Sequence, residues 1–263
     1  MGSGAKPEAM LLGITLQHGS SQDEFEELMK GAKEIAEGCG VRVIGGDTKL
    51  GSCRALFSVG IGSAISRANL FLKNGAKPGD LLWCSGPLGS CNAATLGLQR
   101  SDFSDEWRNW AKEAILVPRL PLGKSSELSG RALGRGGTDI SDGLGADLSR
   151  LCSASGTGAV VDALSIPFEA PVAEVANRMG VPPWTFAFAG GGDFQFLVSA
   201  SKANRKQVED VGLHLIGELT EQRDLNLRAG NRIIPLPVGG HEDVRGLSFS
   251  AEIKTLIQQI QLD

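Results

Sequence analysis

The sequence predicts a mixed fold of the α/β or α+β kind, on three observations. Apolar segments of strand length alternate with stretches of helical period. Tight glycine turns separate them, and 36 of the 263 residues are glycine. The chain is also built to fold: 41% of its residues are hydrophobic and the net charge is only -4, which excludes disorder. No glycine recurs strictly at every third position, so a collagen-like chain is excluded as well.

The elements follow in order. Ala9 to Leu16 is an apolar run of strand length. Ser21 to Gly38 reads as a helix, because Ser21 and Glu24 form a capping-box pattern and Phe25, Leu28, Met29, Ala32, Ile35 and Ala36 share one face. Val41 to Ile44 is a short strand leading into a Gly45-Gly46-Asp47-Thr48 turn, and Ala55 to Ile61 a strand antiparallel to the first. Ala76 to Asp80 is a turn, and the domain boundary is set before it, dividing the chain into 1–66 and 67–263. Leu81 to Ser85 is a buried strand, followed by helices at Asn92–Leu98, Trp107–Leu116 and Ser125–Ala132. Gly137 to Ile140 is a strand that enters Ser141-Asp142-Gly143, after which Leu144, Leu148 and Leu151 mark a helix. A strand at Ala159–Val161 and a helix at Val172–Met179 come next. Apolar segments flank Gly190 to Asp193, late strands fall at Leu213–Ile216 and Arg232–Ile234, and Ala251 to Ile260 is a terminal helix.

Composition removes several functions. A pI near 5.5 does not suit a protein that coats nucleic acid or anionic lipid. No apolar run reaches the roughly 18 residues of a membrane span. Met1 to Pro7 has no signal-peptide character, so a cytoplasmic protein is expected. Cys39, Cys53, Cys84, Cys91 and Cys152 form no Cys-x-x-Cys pair and read as reduced, mostly buried thiols. The scattered His18, His214 and His241 give no zinc-hydrolase spacing. The four tryptophans lie in apolar segments and read as core.

Three glycine–acid clusters remain: Gly45 to Thr48, Asp139 to Gly143, and Gly190 to Asp193. Each follows a strand-length segment. Glycine lets backbone approach a ligand, and aspartate supplies the hard oxygen that magnesium takes together with phosphate and water. Asp142 also stands where a helix cap belongs. Asp139 lies within an apolar strand, where a carboxylate is costly unless paired or metal-bound. Ser85 to Ser90 between strand and helix reads as a structural turn in preference to a phosphate loop.

At these clusters the chain resembles the thiamine-monophosphate kinase family, of the aminoimidazole ribonucleotide synthetase-like superfamily. Met1 to Pro7 and the strand after it resemble the family's "AMGA-x-P". Val43 to Thr48 is similar to "VGGDT", Lys73 to Asp80 to "RSGAKPGD", Asp139 to Leu144 to "DxSDGL", and Gly190 to Leu197 to "GGEDYELL". The resemblance implies an α+β N-terminal domain that dimerises and helps bind ATP, here 1–66, and an α/β C-terminal domain, here 67–263. It implies direct transfer of the γ-phosphoryl of ATP to thiamine monophosphate, with magnesium. Carried over by position, Asp47, Asp139 and Asp142 would be magnesium ligands, and Gly46, Asp47, Lys73 and Ser141 would contact the nucleotide. No covalent catalytic residue is implied, and no substrate contact is assigned.

Several family features differ. Gly192 and Gln195 stand where the family has glutamates, and Gly239 to Glu242 where it has a late aromatic contact. The family's leading "GDDAA" segment is not among these residues, so either a fragment or a shortened relative is expected. Two further readings are kept: a kinase of the superfamily with another acceptor, and an inactive nucleotide-binding scaffold. The expected partners are a small-molecule substrate and a second copy of the chain, with no nucleic acid and no membrane.

Overall fold

The structure is a computed structural model that describes residues 2–64 and 66–239. The terminal helix expected at Ala251–Ile260 and the segment from His241 lie outside the described residues. The chain forms two compact units. One is Ala5–Ile65, and the other runs from Ser66 onward together with the leading segment to Gly4. The sequence reading had placed that leading segment with 1–66. It groups with the later unit because the Ser3 carbonyl accepts from the Phe71 N–H at 2.9 Å and Gly4 packs against Phe71.

The first unit is a three-stranded sheet in the order β2-β1-β3 with one helix. β1 is Lys6–Gln17, α1 Gln22–Gly38, β2 Arg42–Gly51 and β3 Ala55–Ser63. β2 runs parallel to β1 through the α1 crossover, and β3 is antiparallel to β1 as expected. The capping box forms: Ser21 Oγ accepts from the Glu24 N–H and the Ser21 N–H donates to the Glu24 carboxylate, both at 3.2 Å. Leu12, Ile14 and Leu16 alternate onto the buried face of β1.

One local expectation is corrected. Gly45 to Thr48 is not a turn but the middle of β2, paired with Leu11 to Ile14. A side chain at Gly46 would fall on the Leu12 carbonyl, so glycine here admits a close strand pairing at an irregular register.

The second unit is a seven-stranded sheet in the order β10-β9-β6-β8-β4-β7-β5. In chain order its elements are β4 (Leu81–Cys84), α2 (Ser90–Gly97), α3 (Asp105–Leu116), α4 (Lys124–Gly130), β5 (Gly137–Ile140), α5 (Leu144–Ser155) and β6 (Gly158–Asp162). These are followed by α6 (Ala170–Met179), β7 (Gln195–Ala200), α7 (Arg205–Asp210), β8 (His214–Thr220), β9 (Leu225–Ala229) and β10 (Arg232–Pro235). Neighbouring strands are antiparallel except β6 and β9.

β4 divides the core by alternation. Leu82 and Cys84 join a cluster with Leu144, Leu148 and Leu151 of α5 and Val172 and Val175 of α6. Leu81 and Trp83 point to the other cluster, with Leu128, Phe196, Val208 and Leu213. Each fully buried leucine or phenylalanine contributes about 1.5–3 kcal/mol to this unit. Trp83, Trp107 and Trp184 are core, as the sequence suggested, whereas Trp110 is half-buried on a cavity wall. The cysteines are all free thiols, but only Cys84 and Cys152 are buried and Cys53 is exposed. Burial pushes the Cys84 thiol up to about 12.

Candidate functional site

β5 lies at the edge of the large sheet, with Ile140 opposite Gln195 at the start of β7. Thr138 and Ile140 are buried on one face of β5 and Asp139 between them is exposed on the other, so the burial cost expected for this carboxylate does not arise. Its neighbour is the Thr138 hydroxyl, which donates to Oδ1 at 3.4 Å. Among the described residues it takes no ion pair.

Asp142 is not a helix cap. Gly143 holds the cap position of α5 without a side-chain hydrogen bond. The Asp142 carboxylate instead pairs with the Arg150 guanidinium. A residue that the sequence reading passed over shapes this loop. Asp147, only 2% exposed, accepts the backbone N–H groups of both Ser141 and Asp142 at 2.9 Å through Oδ2. Its Oδ1 takes Arg150 at 2.6 Å. Those two amides are therefore committed inside the protein, and the loop offers a ligand its side chains: the Ser141 hydroxyl and the carboxylates on either side.

The glycine-rich loop packs onto this one by backbone. A side chain at Gly191 would fall on the Ser141 carbonyl, so only glycine allows the contact. Asn92 of α2 holds the loop by donating to the Gly190 and Phe186 carbonyls, each at 3.0 Å. Asp193 does not face outward with the other aspartates. It is buried and accepts from the Gly89 N–H at 2.6 Å and the Cys91 N–H at 3.0 Å. It thus takes up the N–H groups at the N-terminus of α2. Burial pushes the Asp193 carboxyl above its ordinary range, against the pull of these donors.

Gln195 is equally internal. Its oxygen accepts from the Ser85 hydroxyl at 2.8 Å, and its nitrogen donates to the Arg119 and Asp193 carbonyls at 2.8 and 3.1 Å. A carboxylate could not make the last two bonds. Between them stands Phe194, 48% exposed and at φ +49°, a conformation that a bulky residue adopts only under strain.

The other expected residues belong to other elements. Gly46 and Asp47 belong to β2 of the first unit, where Asp47 is exposed and pairs with Lys49 at 3.2 Å. Lys73 is exposed, and its carbonyl accepts from the Ser155 hydroxyl at 2.7 Å at the C-terminal end of α5. Ser141 precedes the N-terminal end of that helix, so about 18 Å of helix separates the two.

Among the described residues no group of three or more His, Cys, Asp or Glu side chains is placed to hold a metal ion. The donor set is Asp139, with Asp142 shared by Arg150. One or two carboxylates with phosphate oxygens is the usual magnesium environment. Asp139 and Asp142 therefore fit a cation that takes its remaining oxygens from a bound phosphate.

Two family models match the chain: AIR synthase related protein, N-terminal domain, over residues 1–64, and AIR synthase related protein, C-terminal domain, over 77–230. The thiamine-monophosphate kinase of Methanopyrus kandleri is 31% identical over 198 residues, covering 75% of this chain and 62% of that protein. The chain thus spans less than two thirds of that relative's length. The crystal structure of thiamine-monophosphate kinase from Stenotrophomonas maltophilia K279a superposes with a TM-score of 0.77 at 24% identity, covering 88% of this chain and 75% of that one. A structure of AaThiL complexed with AMPPCP and TMP superposes at 0.73 with 20% identity, covering 88% and 74%. These two likenesses establish the fold.

Proposed function

The chain belongs to the AIR synthase related protein family, and from that membership we propose that it transfers the γ-phosphoryl of ATP to thiamine monophosphate in the presence of magnesium. The observation that carries the reading is the loop at the end of β5. Two exposed or half-exposed carboxylates, Asp139 and Asp142, stand on either side of Ser141 in the chain, and Asp147 fixes the backbone of Ser141 and Asp142. The similarity to thiamine-monophosphate kinases supports the acceptor.

An oxygen of the acceptor phosphate attacks the γ-phosphorus, the bond to the β–γ bridging oxygen breaks, and ADP leaves with that electron pair. Such transfer asks for position and charge neutralisation, not a protein nucleophile. Bound magnesium would supply the neutralisation. Asp139 and Asp142 would hold it, and the Ser141 hydroxyl would orient a phosphate oxygen. Arg150 balances Asp142 until the cation arrives. By family resemblance, Gly46 and Asp47 are proposed as the nucleotide and magnesium contacts of the first unit, and Lys73 as a further nucleotide contact. The exposed Phe194 gives the acceptor's aromatic rings a flat apolar face beside the loop.

The exchange at Gln195 does not argue for another acceptor, because its side chain is spent on Ser85, Arg119 and Asp193. A homodimer through the first unit is part of the proposal. Val43, Ile44, Leu56, Phe57, Val59 and Ile61 expose apolar surface on β2 and β3, which a second copy would cover. No helix among the described residues is long and apolar enough to cross a membrane.

The test incubates the protein with Mg-ATP and thiamine monophosphate and separates the products. Magnesium-dependent thiamine diphosphate is the expected result. ADP release without thiamine diphosphate would overturn the acceptor.

A further inference from the structure

A cavity of about 260 Å³ opens in the second unit at the end of β4, under the 117–124 connection between α3 and α4. None of Asp139, Ser141 or Asp142 lines it. Its lining brings Trp110, Pro118, Leu120 and Pro121 together with Lys124 and His214.

Two of the three carboxylates that line the cavity are already engaged. Glu169 accepts from Trp110 Nε1 at 2.8 Å and the Ser90 hydroxyl at 3.3 Å, and pairs with Arg119 at 3.0 Å. Asp193 serves the start of α2. Glu113, the third, is exposed. Lys124 and His214 are not matched in the way that Arg119 is. The Lys124 ammonium donates to the Ser85 carbonyl at 2.7 Å and the Gly212 carbonyl at 2.8 Å, which leaves its third N–H. Neither Lys124 nor His214 has a carboxylate partner among the described residues. Burial holds Lys124 below its ordinary range, and burial followed by the Lys124 charge lowers His214. A half-buried cation without a counter-ion, in a cavity that is also lined by apolar side chains, is an arrangement that an incoming anion would relieve.

We propose that this cavity binds a small organic oxyanion, its charged group at Lys124 and His214 and its flat apolar body along Trp110 and Pro118 to Pro121. The acceptor of the proposed reaction and an independent metabolite share that chemistry. The site does not depend on the kinase reading, since it is lined by residues outside the loop that carries it.

The probe is phenyl phosphate, titrated calorimetrically without ATP, with inorganic phosphate and phenol as its two halves. Phenyl phosphate is expected to bind at least tenfold more tightly than either half. Lys124→Met should weaken it at least tenfold. Because that change also unties two carbonyls, His214→Gln serves as a second variant and should weaken binding about threefold with an unchanged melting curve. Equal affinity in the wild type and both variants overturns the proposal, as does a folded wild type that fails to saturate at millimolar phenyl phosphate. Displacement of bound phenyl phosphate by thiamine monophosphate identifies the cavity as a second binding site for the acceptor, apart from the one at Phe194. Retention of the Lys124 effect without displacement identifies a separate metabolite.

Discussion

Two turns of similar composition put aspartate to opposite uses. At the end of β5, Asp139 and Asp142 present carboxylates outward. At the start of β7, Asp193 points inward and is consumed by the N–H groups that open α2. What differs is which group meets the neighbouring backbone donors. In the β7 turn the aspartate does so itself. In the β5 turn Asp147, from within α5, takes the two amides and leaves the turn's own carboxylates for a ligand. An Asp-Gly turn therefore becomes a candidate site when another residue satisfies its backbone.

The largest effect should come from Asp139→Asn. The side chain is exposed, so unfolding free energy should change by no more than about 0.5 kcal/mol. Magnesium-dependent ATP turnover should fall about 1,000-fold, near 4 kcal/mol of transition-state stabilisation. Parallel denaturation and steady-state assays check this, and a stability loss as large as the activity loss would erase the contrast between the turns. Asp193→Ala should behave conversely. It leaves buried amides at the start of α2 without an acceptor and should cost about 3 kcal/mol of stability in urea denaturation.

Asp147→Asn comes next. An amide oxygen in the place of Oδ2 can still accept from both N–H groups, but the amide NH2 then turns toward Arg150 and the charge that anchors the loop to α5 is gone. About 1.5 kcal/mol of stability should be lost. Mg-ATP affinity, read by calorimetry, should weaken about tenfold because the loop loses its fixed shape. Unchanged affinity would separate Asp147 from the site.

The same contrast explains what the sequence made legible. The motif at Asp139 to Leu144 is contiguous, so its loop, strand and helix could be read locally. Asp147 lies outside the motif, and its role depends on how the loop folds back over α5. Asp193 resembled a ligand because the sequence does not reveal that α2 begins beside it. The Gly45-Gly46 pair read as a turn because glycine weakens strands, whereas here it admits the Leu12 carbonyl. α7 was missed because Arg205–Asp210 is polar nearly all round and buries only Val208. β9 was missed because it is a short segment between polar turns, held mainly by pairing with β6 and β10.

The smallest effect tests whether the β7 turn contributes anything outward. Phe194 combines left-handed backbone with an exposed ring, a costly way to place a residue that does nothing. Phe194→Gly removes the strain, worth about 1 kcal/mol, and adds a similar entropy cost in the unfolded chain. Stability should therefore move by less than about 0.5 kcal/mol. If the ring meets the acceptor, KM for thiamine monophosphate should rise about fivefold while KM for ATP stays fixed. A Phe194→Leu variant keeps the backbone strain and bulk but not the flat face, and should share the KM defect. Were Leu to restore KM, the ring's role would be apolar bulk and not stacking, and the β7 turn would face the acceptor only as a wall.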